Sequence, residues 1–300
     1  MLLGPTASGK SGAALYACRR LGCEIVSCDS RQIYRKMDIG TAKPTHEESA
    51  QVRHWMIDII EPDKKYSAFN YAQDAAAIIR ERSAAGGRVL VCGGSGLYFQ
   101  CLSQGIGPQV AENKELREHY RALAEKEGAV RVYAELAAVD PATASQSHAS
   151  NLKRNIRALE VYHGTGAPLS ELKKHMIPPN DFVFDIMILS RPREELYSRI
   201  NARVDDMMKK GLWDEFLSLR SQGYDRQSPG LFCVGYRELF DVEEKKATLA
   251  EAVEKIKQNT RNYAKRQITW FRHQVKGRDV EAGENAKDKV MKMMEEYFKE

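Results

Sequence analysis

Met1-Leu2-Leu3-Gly4-Pro5-Thr6-Ala7-Ser8-Gly9-Lys10-Ser11 joins a short apolar run to the pattern G-x-x-x-x-G-K-S/T, matched at every fixed position, and Ala13, Ala14, Leu15 and Tyr16 follow it. Strand, glycine loop and helix in that order make a phosphate cradle. The glycines let backbone N–H groups turn inward as a nest, and the helix adds its positive end. Lys10 is placed to reach the terminal phosphates, and the Ser11 hydroxyl to be an inner ligand of magnesium. A Gly/Ser-rich turn matches such a pattern by chance, but the flanking strand and helix favour the cradle. The stretch therefore predicts a di- or triphosphate held by Gly4, Pro5, Thr6, Ala7, Ser8, Gly9, Lys10 and Ser11. It leaves open whether that phosphate chain is ATP. Three apolar residues are few for a strand, about 5–6 being usual, so the strand is trimmed or starts upstream.

A chain of 300 residues, 43% hydrophobic and 29% charged, suits a globular protein of one large or two ordinary domains. No apolar run approaches the roughly 20 residues of a membrane span, and no signal peptide precedes the phosphate loop, so a cytoplasmic protein without a membrane partner is expected. Cysteines 18, 23, 28, 92, 101 and 233 form no C-x-x-C pair and no zinc spacing. They read as small buried hydrophobes in a reducing compartment. The net charge of +5 is mild but unevenly placed: Lys255 to Arg278 holds eight Lys/Arg and no Asp or Glu. The remainder is net acidic. A concentrated basic segment is the footprint of a polyanion.

After the loop, Ser11 to Leu21 reads as a helix ended by Gly22, and Glu24 to Cys28 as a buried strand. Asp29-Ser30-Arg31-Gln32 stands at that strand's carboxyl end, where parallel sheets bind ligands. Asp29 is either a helix N-cap or a functional carboxylate, and its position favours the second. Met37 to Pro44 is a breaker-rich loop near the mouth. His54 to Ile60 reads as a strand, Tyr66 to Arg82 as a helix and Arg88 to Cys92 as a strand closing on Gly93-Gly94-Ser95. From about Gln109 to Pro179 helical segments replace strands (Lys114–Glu127, Val130–Val139, Leu152–His163), punctuated by Pro108 and Pro178-Pro179. Phe182 to Leu189 resumes a buried strand. The expected fold is α/β: a P-loop NTPase-like parallel sheet flanked by helices, formed by 1–108 and 180–300, with an all-helical insertion over 109–179.

Arg193 to Met207 is a strong helix on which Arg199 and Arg203 stand one turn apart. They either clamp a diphosphate or pair with Glu195 and Asp206. The basic segment is itself helical, with a stripe of Ile256, Ala264, Ile268, Phe271 and Val275. Lys257, Arg261, Lys265 and Arg272 lie mostly opposite, and Tyr263, Trp270 and Phe271 interleave. A calmodulin-like or membrane-surface helix has such a pattern; beside a phosphate loop, nucleic acid is the better match. Ala286 to Phe298 is an amphipathic helix.

Gly-Pro-Thr-Ala-Ser-Gly-Lys-Ser at 4–11, Asp-Ser-Arg-Gln-Ile-Tyr at 29–34 and Asp-Ile-Gly-Thr-Ala-Lys-Pro at 38–44 resemble the tRNA dimethylallyltransferase family. So do Gly-Gly-Ser-Gly-Leu-Tyr at 93–98, Arg-Ala-Leu-Glu-Val at 157–161, Gly-Tyr-Arg-Glu at 235–238 and Thr-Arg-Asn-Tyr-Ala-Lys-Arg-Gln-Ile-Thr-Trp-Phe-Arg at 260–272. The resemblance spans almost the whole chain. It implies transfer of a five-carbon prenyl group from dimethylallyl diphosphate to N6 of the tRNA adenosine just 3′ of the anticodon. It implies Asp29 as the carboxylate that takes the N6 proton, and Thr6, Lys10, Ser11 and magnesium as the seat of the leaving diphosphate. Arg203, with Arg199, would clamp that diphosphate. Asp29, Ser30, Arg31 and Gln32 would contact the extruded base and its neighbours. Lys153, Arg154 and Arg157 in the insertion, and Arg261, Lys265, Arg266 and Arg272 in the basic helix, would meet RNA. Ser95 stands where many members have Thr at the channel between substrates, Lys153 where many have Gln, and His148-Ala149-Ser150-Asn151 replaces a more usual His-Pro-Asn-Asp. A monomer is expected. A metabolite kinase, an adenylate isopentenyltransferase and a non-catalytic RNA-binding module are the alternatives. The basic aromatic helix argues against the first, the long insertion against the second, and intact Lys10, Ser11 and Asp29 against the third.

Overall fold

Six short runs pair into one parallel sheet. The computed structural model describes residues 1–105, 110–175, 178, 182–283 and 285–299. The strands are β1 Leu2–Leu3, β2 Cys23–Cys28, β3 His54–Trp55, β4 Arg88–Gly93, β5 Met187–Ser190 and β6 Arg278–Glu281, in the order β3-β2-β4-β1-β5-β6. The helices are α1 Lys10–Leu21, α2 His46–Gln51, α3 Ala68–Ala84, α4 Gly96–Gln104, α5 Lys114–Glu127, α6 Ala129–Val139, α7 Pro141–Ser145, α8 Leu152–Thr165, α9 Leu169–Lys174, α10 Arg193–Lys209, α11 Leu212–Ser221, α12 Tyr236–Glu243, α13 Leu249–Gln274 and α14 Ala286–Tyr297. Two compact units result: Met1–Ser103 with Asn180–Glu300, and Gln104–Pro179. The expected punctuation at Pro108 and Pro179, and the expected first boundary after residue 108, lie outside the described residues.

In the larger unit, Leu2, Ile25, Leu90, Met187, Leu189 and Val280 face Ala13, Ala14 and Ala17 of α1 and Val290 and Met294 of α14. Small alanines on α1 let it lie close to the sheet. Because β1 is flanked by β4 and β5, the loops leaving β1, β2, β4 and β5 share one edge, the crevice where such sheets bind ligands. The insertion has its own core of Tyr120, Val132, Leu136, Ile156 and Leu159. Beside it, the fully buried Glu160 carboxylate takes Arg117 Nη2 at 2.7 Å, Arg157 Nη1 and the Asn113 N–H at 2.7 Å. Burial would raise that carboxyl, but these partners outweigh it and hold Glu160 below the usual glutamate range.

Three expectations need correction. The strand expected over 54–60 stops at Trp55, because Met56 (φ 62°) and Asp58 (φ 57°) enter left-handed backbone; Ile59 and Ile60 instead donate to Ile33 O. The strand expected over 182–189 begins its ladder at Met187, since β1 offers Leu2 and Leu3 as partners for Met187 and Ile188. The basic segment does not stay helical to Arg278: α13 ends at Gln274, and β6 follows as an edge strand. Only Val280 of β6 is buried, so β6 carries no alternating signal, and its charged residues suit an edge.

Candidate active site

The chain leaves β1 at Gly4 and enters the phosphate loop. Ala7 (φ 61°) and Gly9 (φ 100°) take left-handed backbone, which curls the loop into the N-terminus of α1 and turns N–H groups inward. Lys10 Nζ folds back onto the Pro5 carbonyl at 3.2 Å. Two arginines brace the outside: Arg191 Nε donates to Ser8 O at 3.2 Å and Arg199 Nε to Ala7 O at 3.0 Å. Glu195 pairs with Arg191 and Asp206 with Lys210, so neither acid neutralises Arg199 or Arg203. Arg203 has no hydrogen-bond or ion-pair partner among the described residues.

Across the crevice, Asp29 does not cap a helix. Its Oδ1 accepts the Arg31 N–H at 2.8 Å, an Asx turn, and the residue lines the cleft. Ser95, only 9% exposed, accepts the Ser30 N–H on its Oγ at 2.9 Å, so this hydroxyl braces the turn beside Asp29. Arg31 Nη1 donates to Pro229 O at 2.9 Å. Gln32 spends its amide on Ser27 Oγ (2.9 Å) and the Ala42 carbonyl (3.0 Å). The loop over 37–44 is fixed from its other side by Glu215, which accepts the N–H groups of Asp38 (2.8 Å), Ile39 (2.7 Å) and Gly40 (3.0 Å). The Tyr236 hydroxyl completes that clamp at 2.5 Å.

Three cavities open around this frame. One of about 360 Å³ brings together Thr6, Lys10, Ser11, Asp29, Ser30, Arg31, Gln32, Arg203 and Arg266. A second, about 420 Å³, is lined by Ala7, Gly9, Lys10, Ser11, Arg199 and Arg203. A third, about 240 Å³, reaches Ser27, Gln32 and Lys43. Ser11 and Arg203 line all three. Burial pushes the Lys10 amine below its ordinary range; Cys92 and Asp29 partly restore it, and Arg203 lowers it further. Burial likewise lowers the Arg203 guanidinium, opposed by Asp29. Two cations held below their ordinary range gain from a neighbouring anion. Such a wall favours a polyphosphate.

The basic helix divides its residues. Phe271 is buried and the half-buried Trp270 packs edge-on to Phe99 (centroids 6.1 Å apart), so both are drawn into packing. Tyr263, 37% exposed, lines the 360 Å³ cavity beside Arg266, whose guanidinium lies 5.8 Å from its ring. Burial raises the Tyr263 phenol to about 12, with the Asp29 charge acting the same way. Lys265 and Arg272 are exposed, whereas Arg261 Nη1 bonds Asn201 Oδ1 at 2.6 Å. On the insertion, Lys153 and Arg154 are exposed, but Arg157 is committed to Glu160 and the Val110 carbonyl.

Three contributors lay outside the sequence reading. Gln267 bonds the phosphate loop, Glu215 clamps the 37–44 loop, and Phe232, 58% exposed, lines the cavity mouth with Arg237 5.4 Å above its ring. Only Gln267 left a legible sign, a polar residue between Ala264 and Phe271 on an apolar stripe. Glu215 and Phe232 look like an ordinary helix acid and an ordinary loop apolar.

Fold and site together define an α/β protein with a P-loop-like loop and a carboxylate lining one cleft, and basic and aromatic residues beside them. The family model for IPP transferase matches residues 32–274, and the chain belongs to that family. It is 45% identical over 270 residues to the tRNA dimethylallyltransferase of Thermotoga petrophila, covering 90% of this chain and 87% of that protein. It is 43% identical over 273 residues to that of Myxococcus xanthus, with 91% and 88% covered. A tRNA isopentenylpyrophosphate transferase structure from Staphylococcus epidermidis superposes with a TM-score of 0.69 at 33% identity, over 99% of this chain and 97% of that one. A eukaryotic dimethylallyltransferase acting on tRNA has a TM-score of 0.80 over 99% of this chain and 78% of that one; at 21% identity it speaks for the fold alone.

Proposed function

We propose that the protein transfers a dimethylallyl group from dimethylallyl diphosphate to N6 of the tRNA adenosine immediately 3′ of the anticodon, releasing diphosphate. One observation carries this reading: Lys10, Ser11 and Arg203 share a single cavity with Asp29, in a chain of the IPP transferase family. The diphosphate sits on the loop nest. Lys10 and Arg203 stabilise the charge that grows on the leaving oxygen, and Thr6 adds its hydroxyl from the same wall. Adenine N6 is a weak nucleophile, because its lone pair is shared with the ring. Asp29 holds the amine and accepts its proton as the N6–carbon bond forms and the carbon–oxygen bond breaks. The departing electron pair leaves with diphosphate.

The residues fit a magnesium ion. Ser11 presents an exposed hydroxyl at the loop, and this ion keeps waters and phosphate oxygens as most of its ligands. When bound it would neutralise diphosphate charge, with Ser11 as its protein ligand.

The base must leave the anticodon stack to reach Asp29. Phe232 and Tyr263, each with an arginine over its ring, supply stacking faces at the cavity mouth. Arg266, Lys265 and Arg272 on α13, and Lys153 and Arg154 on the insertion that grips the stem, supply phosphate contacts. No helix of the described residues is long and apolar enough to cross a membrane, and we take the protein to act as a cytoplasmic monomer. The test offers labelled dimethylallyl diphosphate and magnesium with either an unmodified anticodon stem-loop or AMP. Label in the stem-loop alone is expected. Label on AMP would assign the protein to free nucleotides, and label on neither would remove prenyl transfer.

A further inference from the structure

Gln267 lies on the buried stripe of α13, 7% exposed, between Ala264 and Phe271. Its amide is spent entirely on main chain of two distant loops. Oε1 accepts the Thr6 N–H at 2.8 Å, and Nε2 donates to the Gly94 carbonyl at 2.8 Å. Gly94 has no side chain to spare: a Cβ there would stand 2.5 Å from Gln267 Nε2 and 3.1 Å from the Gly4 carbonyl. One side chain of the basic helix therefore joins the loop after β1 to the loop after β4.

This bond changes what the phosphate loop can offer. The Thr6 N–H is turned toward Gln267, so the anion nest is left to N–H groups nearer α1. Thr6 itself is held where it lines the cavity containing Asp29. On the same helix Tyr263, one turn earlier, and Arg266, the preceding residue, line that cavity. Gln267 therefore ties the helix that carries Tyr263 and Arg266 to the phosphate loop.

We propose that Gln267 is a positioning residue for prenyl transfer, fixing Thr6 and the end of β4 against the RNA-facing helix; this rests on the transfer reaction proposed above. The bland alternative is a buried amide that serves folding alone. Two variants separate them. Gln267→Met keeps length and removes both hydrogen bonds. Gly94→Ala keeps Gln267 in the sequence and sets a Cβ 2.5 Å from its Nε2, which displaces that group from the Gly94 carbonyl; the same Cβ lies 3.6 Å from Lys10 Nζ, an ordinary contact.

Each variant is tested for stem-loop prenylation at saturating substrates, for direct binding of the stem-loop and of inorganic diphosphate, and for thermal melting. Each is expected to lower kcat about 10- to 100-fold, as a misplacement near 1 Å does, and to weaken diphosphate binding about fivefold, because the loop loses the Thr6–Gln267 bond that holds its anion-binding shape. Stem-loop Kd should stay within about twofold, because the phosphate-contacting cations are untouched. The double variant should be no worse than the poorer single one, as coupled sites require. Unchanged kcat in Gln267→Met, a loss confined to stem-loop affinity, or melting of both variants below the assay temperature would each overturn the proposal. If the parent labels no stem-loop, the transfer reading fails on its own. The diphosphate titration then still decides Gln267: equal Kd in parent and Gln267→Met would overturn its role.

Discussion

Arg203 should cost the ligand-free protein stability and return it only when diphosphate binds. Its guanidinium lines all three cavities and has no partner among the described residues. Burial holds it below its ordinary range, with Arg199 adding to the fall and Asp29 opposing it. A cation whose folded pKa is lowered is bound less well by the native state than by the unfolded chain, so carrying its charge opposes folding. Arg203→Met keeps the length beside Ile200 and Val204 and removes that charge. The ligand-free variant should be more stable by about 1–2 kcal/mol, the usual gain when a functional strain is removed, which is roughly 2–8 °C in Tm for a domain of this size. Inorganic diphosphate at about 100 times its Kd should stabilise the parent by about 2.7 kcal/mol. Losing one charge-assisted hydrogen bond of about 2 kcal/mol weakens binding roughly 30-fold, so the same concentration should add only about 0.9 kcal/mol to the variant. The variant's lead should therefore shrink by about 1.8 kcal/mol between melting curves recorded without and with diphosphate and magnesium. A variant less stable than the parent without ligand, or one that gains as much from diphosphate, would refute the reasoning. Arg199→Met is the contrast: it loses the bond to Ala7 O and should be less stable in both conditions.

Asp29→Asn keeps the Asx turn and removes the proton acceptor; kcat for stem-loop prenylation should fall about 10²- to 10⁴-fold with stem-loop Kd nearly unchanged, and retained turnover would dismiss Asp29 as base. Replacing the exposed Lys265 and Arg266 by Ala should flatten the slope of log K against log salt by about 0.7–0.9 per cation that contacts phosphate; an unaltered slope takes both off the RNA. Glu160 has a lowered folded pKa, so its contribution is full above the unfolded value, about 4.3, and is lost as pH falls through the folded one. Glu160→Gln should then cost the insertion about 3 kcal/mol near neutral pH, the low end for a broken buried pair because Arg117 and Arg157 stay partly solvated. Urea unfolding of parent and variant should converge as pH drops below 4; a gap independent of pH would contradict the ion-pair account.

Where local sequence and tertiary packing ask for the same thing, the fold was readable in advance. Helix α5 is bounded by the Asn113 cap and Gly128, and its periodicity alone placed it. Helix α10 likewise needed only Leu196, Ile200 and Val204. Strands failed where pairing rather than composition sets their length. The run His54 to Ile60 is apolar enough for seven strand residues, yet Met56 and Asp58 leave the β region, and the later part answers to the 32–35 segment instead. Strand β6 failed the other way: Arg278, Asp279 and Glu281 are exposed and only Val280 enters the core. It exists because β5 needed a neighbour, a requirement no local window contains.

The site divides along the same line. Groups that would touch phosphate or proton come from short contiguous motifs, since a nest of N–H groups and an Asx turn are each made by four or five consecutive residues. Lys10, Ser11 and Asp29 were therefore visible. The groups that hold those motifs in register come from far along the chain. Gln267 lies 261 residues from Thr6, and Glu215 lies 177 from Asp38. Each of these two is a polar side chain aimed at main-chain atoms, so its partner carries no side-chain signature to match. A carboxylate that accepts three backbone N–H groups can face almost any sequence there, and Asp38-Ile39-Gly40 announces nothing of Glu215. Ser95 shows the same limit. Its place after β4 suggests a wall of the cleft, and the folded chain adds a second role, accepting the Ser30 N–H beside Asp29. Motif reading thus finds the atoms that react, while the distances between them are set by bonds that only the folded chain reveals.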